Sequence, residues 1–269
     1  MKLIDFDRIL WHNKTTMIKE KRYERIRSEL ARKGSVGVEE LAEMLQISRP
    51  TVRRDLYAMQ EKGYLHRTHG GATVVDNPDE LPFQSKVSAY LLEKRSIGAA
   101  AASLIADGRV IGCTGGTTVM QVVKALKNKR LTIITNAINI AMELAPFESQ
   151  EVIVTGGTLR TRSYELVGHI AERTIRGYHL DIALIGVDGL DVHHGLSTFT
   201  DAEAHAAALY IEHAREVWVV TDHSKIGKTA PALIAPLSRV TRLITDSNLA
   251  PDQARLLEES GITLTLAEL

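Results

Sequence analysis

Apolar residues recur at helical spacing in three successive stretches near the start of the chain. From about Ile18 to Lys33, with Ile26 and Leu30 as apolar contacts, the pattern predicts a helix that stops at Gly34. Val38 to Leu45 predicts a short amphipathic helix, with Val38, Leu41, Ala42 and Leu45 on one side. After only Gln46 and Ile47, Ser48 can cap a third helix whose first turn admits Pro50. Val52, Leu56 and Met59 line one face of that helix, which runs to Gln60 and stops at Gly63. Two short helices across a tight turn, with Ile47 buried in it, form a helix-turn-helix pattern. Tyr64 to Ala72 then alternates weakly, carries basic groups and ends in a glycine pair, which predicts a two-stranded wing.

Over the rest of the chain short β-rich runs alternate with helical ones. Strands are predicted at Arg109 to Gly112, Leu131 to Thr135, Glu151 to Thr155, Asp181 to Gly186, Glu216 to Thr221, Arg242 to Asp246 and Ile262 to Leu266. Helices are predicted at about Lys86 to Ala106, Thr117 to Lys127, Ala137 to Leu144, Ile170 to Arg176, Asp201 to Ala214 and Pro251 to Glu259. That order implies an α/β domain with a mostly parallel sheet, and a ligand site beyond the C-terminal ends of its strands.

The polar stretch Asp76 to Pro82, broken by two prolines, separates the two patterns. The expected organisation is an N-terminal extension (1–17), a winged helix-turn-helix domain (18–75), a linker (76–84) and an α/β domain (85–269). Residues 1–17, with Ile9, Leu10 and Trp11, fit neither pattern, and Met17 is a possible true start. Net charge is zero, yet residues 1–75 hold 15 Lys and Arg against 10 Asp and Glu, leaving 18 against 23 for the remainder. A basic head on an acidic body suits a polyanionic partner. No apolar run approaches the roughly 20 residues of a membrane span, and no signal-peptide pattern precedes the first helix. The single cysteine, Cys113, excludes an intramolecular disulfide and agrees with a reducing, cytoplasmic setting.

The outer face of the third predicted helix carries Pro50, Thr51, Arg54 and Tyr57, with Arg53 on its flank. Arginine there can grip phosphate or fork onto a guanine edge, while Thr51 and the amides of the Ser48-capped helix start can reach phosphate oxygens. Taken alone, this helix reads equally well as a surface helix with solvated charges. The preceding helix and turn favour DNA. Residues 21 to 72 resemble the winged helix-turn-helix of the DeoR family of bacterial sugar-catabolism repressors. The resemblance lies in Ser48, Thr51-Val52-Arg53-Arg54-Asp55-Leu56 and His69-Gly70-Gly71-Ala72. It implies Arg49, Thr51, Arg53 and Arg54 as DNA-facing residues and places Arg67 and His69 in the wing. Asp55 reads as structural, because a carboxylate facing DNA is repelled.

In the second pattern, Thr114-Gly115-Gly116-Thr117-Thr118 follows a strand and opens a helix, so amides and hydroxyls can converge on an anion. An ordinary strand-to-helix turn is the plainer reading. No lysine follows as in a nucleotide P-loop, and there is no GxGxxG. Polar groups recur at further strand ends: Thr135-Asn136, Thr155-Gly156-Gly157, Gly186-Val187-Asp188-Gly189 and Thr221 to Lys225. Asp188 could equally cap a turn, and Lys225 could be a solvated loop lysine.

Residues 95 to 246 resemble the sensor domain of the same family, which is similar in fold to ribose-5-phosphate isomerase. The resemblance implies a phosphate held by Thr114 to Thr118, a pocket framed by Asn136, Gly156 and Gly157, and a sugar faced by Asp188, Glu203 and Lys225. One departure stands out: where the family usually has Asp-Ser-Gly-Thr-Thr, this chain has Cys113-Thr114-Gly115-Gly116-Thr117. An acidic group is lost at the pocket edge, which puts the usual ligand preference in question. Cys113 reads as a packing residue, not a nucleophile. His193, His194, His205, His213 and His223 lack metal-ligand spacing, so no metal and no cofactor is expected.

Two functions of different class fit these residues. One is a transcriptional regulator, a repressor by resemblance, whose grip on double-stranded operator DNA is set by a phosphorylated sugar. The other is a sugar-phosphate isomerase using Asp188, Glu203 and Lys225 as acid, base and electrostatic groups. The capped helix, arginine pair and wing favour the regulator. A DNA-binding protein whose sensor has lost its ligand also stays open. Paired half-sites predict a homodimer or homotetramer.

Overall fold

The computed structural model describes residues 19–61, 64–73 and 80–269. The expected extension at 1–17, Ile18, the stop at Gly63 and residues 76–79 of the expected linker lie outside the described residues. The chain divides into two compact units between Leu81 and Pro82.

In the first unit, α1 (Lys19–Lys33), β1 (Ser35–Gly37), α2 (Val38–Leu45) and α3 (Arg49–Glu61) precede β2 (His66–Arg67) and β3 (Gly71–Thr73). Ile26, Leu30, Leu41, Val52, Leu56 and Met59 meet in one core with almost no exposure. Gln46 takes a left-handed conformation (φ 53°, ψ 43°) as α2 ends, and its N–H donates to the carbonyls of Ala42 and Glu43. This is the tight turn that the sequence requires, although Ile47 within it is only half-buried. The wing differs from expectation. Its two strands are joined by β1, giving the order β1-β3-β2, because Ser35–Gly37, between α1 and α2, runs antiparallel to β3. Gly71 makes that pairing possible, since a Cβ there would sit 1.9 Å from the Val36 carbonyl oxygen.

In the second unit the seven predicted strands form one parallel sheet: β4 (Val110–Cys113), β5 (Leu131–Thr135), β6 (Gln150–Val154), β9 (Leu180–Ile185), β12 (Ala214–Val220), β14 (Arg242–Asp246) and β15 (Thr263–Ala267). Their order is β15-β14-β12-β9-β4-β5-β6. Alternate residues serve opposite faces: Ile182 and Leu184 join one core, Ala183 and Ile185 the other. The first core is completed by α5 (Leu91–Leu104), α6 (Thr117–Leu126) and α7 (Ile138–Leu144). The second is completed by α8 (His169–Arg176), α9 (Asp201–Glu212) and α10 (Pro251–Glu259). Burial on both faces explains why the strands read as continuous apolar runs.

The helix predicted from Lys86 to Ala106 is two helices. A short α4 (Phe83–Val87) ends before Tyr90, which takes a left-handed conformation (φ 53°) and caps α5. Lys94, buried in the first turn of α5, fills the break by donating to the carbonyls of Lys86 (2.9 Å) and Ala89 (2.6 Å). Two small antiparallel features were not legible in the pattern. The hairpin β7–β8 (Thr158–Arg160 and Glu165–Val167) follows β6, and β10 (Gly189–Asp191), β11 (Gly195–Thr198) and β13 (Ala232–Ala235) form a three-stranded sheet. Each strand is three or four residues long, too short to carry a period.

Candidate DNA-binding face and sensor site

Ser48 is the N-cap of α3: its Oγ accepts from the Thr51 amide (3.4 Å) and lies 2.9 Å from the Thr51 hydroxyl. Beyond the cap, Arg49, Arg53, Arg54 and Tyr57 are exposed and Thr51 is half-exposed, whereas Val52, Asp55, Leu56 and Met59 face inward. Asp55 is indeed structural. Its carboxylate receives Nε of Arg22 at 2.7 Å and a second guanidinium nitrogen at 3.1 Å, a two-point bond between α3 and α1. Arg49 lies 3.5 Å from Glu39 of α2. In the wing, the Arg67 amide donates to the Gln60 side chain (2.9 Å) and its guanidinium stacks over the Tyr57 ring, 5.7 Å from the centroid. His69 is exposed in the turn between β2 and β3. One continuous outer surface thus carries Arg53, Arg54, Tyr57 and Arg67.

The sheet of the second unit reverses its direction of growth between β4 and β9, since β5 and β6 extend one way and β12, β14 and β15 the other. Such a switch point opens a crevice at the strand ends. The loop after β4 lies there. The Thr114 hydroxyl donates to the Gly115 carbonyl (3.3 Å) and accepts from the Gly186 amide at 3.0 Å, stitching the β4 and β9 loops together. Gly116 (φ 112°) caps α6, and Thr117 and Thr118 are buried in its first turn.

The Gly115 amide already has a partner, the Glu165 carboxylate at 2.5 Å. Hairpin β7–β8 delivers that residue. Leu166 of β8 donates to the Asn136 carbonyl (2.6 Å) and receives the Asn136 side-chain amide (3.2 Å), so Asn136 holds the hairpin against the end of β5. Glu165 in turn hydrogen-bonds Glu203 of α9, which Arg160 (2.7 Å) and Thr200 (2.9 Å) hold from the other side. Burial, reinforced by the Glu203 charge and opposed by the Gly115 amide, pushes the Glu165 carboxyl up to about 8. Burial likewise pushes the Cys113 thiol up to about 12, leaving it a packing residue.

A second cluster surrounds Asp188. Lys86 of α4 (3.3 Å) and Lys225 (3.6 Å) approach one carboxylate oxygen, and the Thr198 hydroxyl donates to the other (3.1 Å). Burial works against ionisation, but these two cations hold the Asp188 carboxyl below its ordinary range. Lys94 lies 3.9 Å from Asp222, and burial depresses its ammonium. Gly156 and Gly157 sit after β6 and are exposed; a Cβ at Gly157 (φ 132°) would lie 2.6 Å from the Val167 carbonyl oxygen. They shape the start of the hairpin.

Sequence reasoning missed Lys86, Lys94, Arg160, Glu165 and Thr198. Lys86 and Lys94 were hidden inside one expected helix, and Arg160 and Glu165 inside an unrecognised hairpin. Among the histidines, His194 pairs with Asp191 and His223 with Asp246, at 2.9 and 2.8 Å. Among the described residues no group of three or more His, Cys, Asp or Glu is placed to hold a metal ion.

A winged helix-turn-helix with an exposed basic face, followed by an α/β unit with a polar switch-point crevice, defines a DNA-binding regulator with a sensor domain. Comparison with known proteins gives the family. The DeoR-like helix-turn-helix domain matches residues 22–77 and the DeoR C terminal sensor domain matches residues 91–247. The chain is 36% identical to the HTH-type transcriptional regulator GlpR of Haloferax volcanii, over 85% of this chain and 90% of that protein. It is 32% identical to the glycerol-3-phosphate regulon repressor of Escherichia coli K12, over 87% of this chain and 93% of that one. The chain belongs to the DeoR family of transcriptional regulators. These named relatives are regulators and not enzymes, which sets the isomerase alternative aside. Ribose 5-phosphate isomerase A of Methanocaldococcus jannaschii aligns with 51% of this chain and 55% of its own at 19% identity and a TM-score of 0.39, too distant to bear on function. No helix among the described residues is long and apolar enough to cross a membrane.

Proposed function

We propose that this protein represses a carbohydrate-catabolism operon, with its N-terminal domain (18–75) on operator DNA and its C-terminal domain (85–269) binding a phosphorylated sugar that shifts operator affinity. Ser48, Arg49, Thr51, Arg53, Arg54, Tyr57, Arg67 and His69 form the DNA contact. Thr114, Gly115, Gly116, Thr117 and Thr118 cradle the phosphate, framed by Asn136, Gly156 and Gly157, and Asp188, Glu203 and Lys225 meet the sugar. The observation that carries the reading is the outer surface of α3. Val52, Leu56 and Met59 are consumed by the core and Asp55 by Arg22, so the outer face that carries Arg53 and Arg54 is basic, with a wing arginine stacked beside it on Tyr57.

On the sensor side, the support is the convergence of Lys86, Lys225 and Asp188 on the crevice that also holds the glycine loop. Lysines and carboxylates there suit a ligand with both phosphate and hydroxyl groups. Paired half-sites require two heads, hence a homodimer or homotetramer. The test is binding of purified protein to its own upstream DNA, with and without phosphorylated sugars. Sequence-selective binding that one sugar phosphate releases supports the reading; DNA affinity unmoved by every sugar phosphate removes the sensor half of it.

A further inference from the structure

On the proposal that the loop after β4 is an anion cradle, the Gly115 amide is one of its donors. Glu165 is 7% exposed, and its carboxyl lies on that amide at 2.5 Å. The missing side chain at Gly115 is what admits it, since a Cβ there would lie 2.7 Å from Glu165 Cγ and 2.9 Å from Cδ and Oε1. The hairpin cannot simply drift away, because Asn136 holds Leu166, the next residue, through both its backbone and its side chain.

We propose that Glu165 is a specificity-determining residue of the sensor: its carboxyl occupies the Gly115 amide as an internal acceptor, and a phosphate or sulfate group gains that amide only by displacing it. One N–H cannot serve two acceptors at full strength, and a buried carboxylate next to an incoming dianion adds repulsion. The competition therefore depends on the charge of Glu165. The groups facing it are the Gly115 amide and Cys113 at the end of β4, Glu203 and the Tyr210 phenol of α9, and Lys86 of α4; Arg160, on its own hairpin, acts through Glu203. With burial and Glu203 holding its carboxyl near 8, Glu165 is neutral at pH 7 and charged at pH 9. Neutral, it yields the amide to an anion; ionised, it holds the amide and repels the newcomer.

Sulfate tests this cleanly, because its own charge is constant across the range. The full chain, E165Q and E165S are titrated with sulfate, and separately with inorganic phosphate, by calorimetry at pH 7 and pH 9, after thermal unfolding has verified that each variant folds. Loss of one proton from a group near 8 weakens wild-type sulfate affinity about tenfold between these values. E165Q keeps the acceptor and loses the charge, so it binds at the wild-type pH 7 affinity at both pH values. E165S frees the amide and binds about tenfold tighter at pH 7, the worth of one charge-assisted hydrogen bond. Should wild type and both variants bind sulfate alike with one shared pH profile, the loop is an anion site that Glu165 does not control, and the inference fails alone. Should none of the three bind sulfate or phosphate, the cradle reading fails and takes this one with it.

Discussion

Residue by residue, the two units use acidic side chains in opposite ways. Asp55 sits inward on a helix whose outer face is basic, and Arg22 meets it with two nitrogens. Asp55→Ala would remove the carboxylate partner of a largely buried guanidinium, so the winged domain should lose about 3–5 kcal/mol of stability in urea unfolding. Arg54→Ala changes nothing in that core. It should weaken operator binding by about 1–3 kcal/mol in fluorescence anisotropy while leaving the unfolding midpoint unchanged. Glu165 makes a pH prediction of its own. The folded chain keeps its proton up to about 8, whereas the unfolded chain releases it in the ordinary carboxyl range. Stability that Glu165 contributes at low pH is therefore lost as pH rises through that window. E165Q should flatten the loss, and denaturant unfolding at pH 5 and pH 8.5 checks it through a smaller difference for the variant than for wild type.

Among the elements, what was legible in the sequence follows the length of each repeat. Helices α2 and α3 were readable because Val38, Leu41, Leu45, Val52, Leu56 and Met59 mark 3.6-residue periods across a cap and a turn. All seven parallel strands were readable as apolar runs bounded by polar loops. The break between α4 and α5 was not, because nothing in Ser88, Ala89 and Tyr90 announces a left-handed residue; Lys94 reaches back across the break to two carbonyls, a contact no period reports. Hairpin β7–β8 was illegible for its shortness, and with it went Arg160 and Glu165. Close approaches between elements rest on single glycines. At Gly98, on α5, a Cβ would sit 2.6 Å from the Gln121 carbonyl oxygen of α6. Gly98→Ala should force these helices apart and lower stability by about 1–3 kcal/mol, read as a fall in the thermal midpoint.

For the whole molecule, the charge division anticipates a salt-dependent partner. The surplus of basic residues falls within 1–75, and the deficit within the remainder. Operator affinity should therefore fall steeply with salt, by an amount set by the number of phosphates neutralised. Family membership and the two matched domains give the regulator class. What the sequence suggested about the pocket was its loops, and what the structure adds is their occupancy by the chain's own side chains: Glu165 on Gly115, Lys86 and Lys225 on Asp188, Arg160 on Glu203. An effector would enter by exchanging these partners, and such an exchange is how a bound sugar would favour one arrangement of the sensor over another.

The most direct test of that account is the affinity of the full chain for its own upstream DNA, measured at two salt concentrations with and without a panel of phosphorylated sugars. The account predicts selective binding that weakens with salt and is released by one sugar phosphate, with Lys225→Ala retaining DNA affinity and losing the release. Selective DNA binding that no sugar phosphate alters, or a release that survives unchanged in Lys225→Ala, would contradict it.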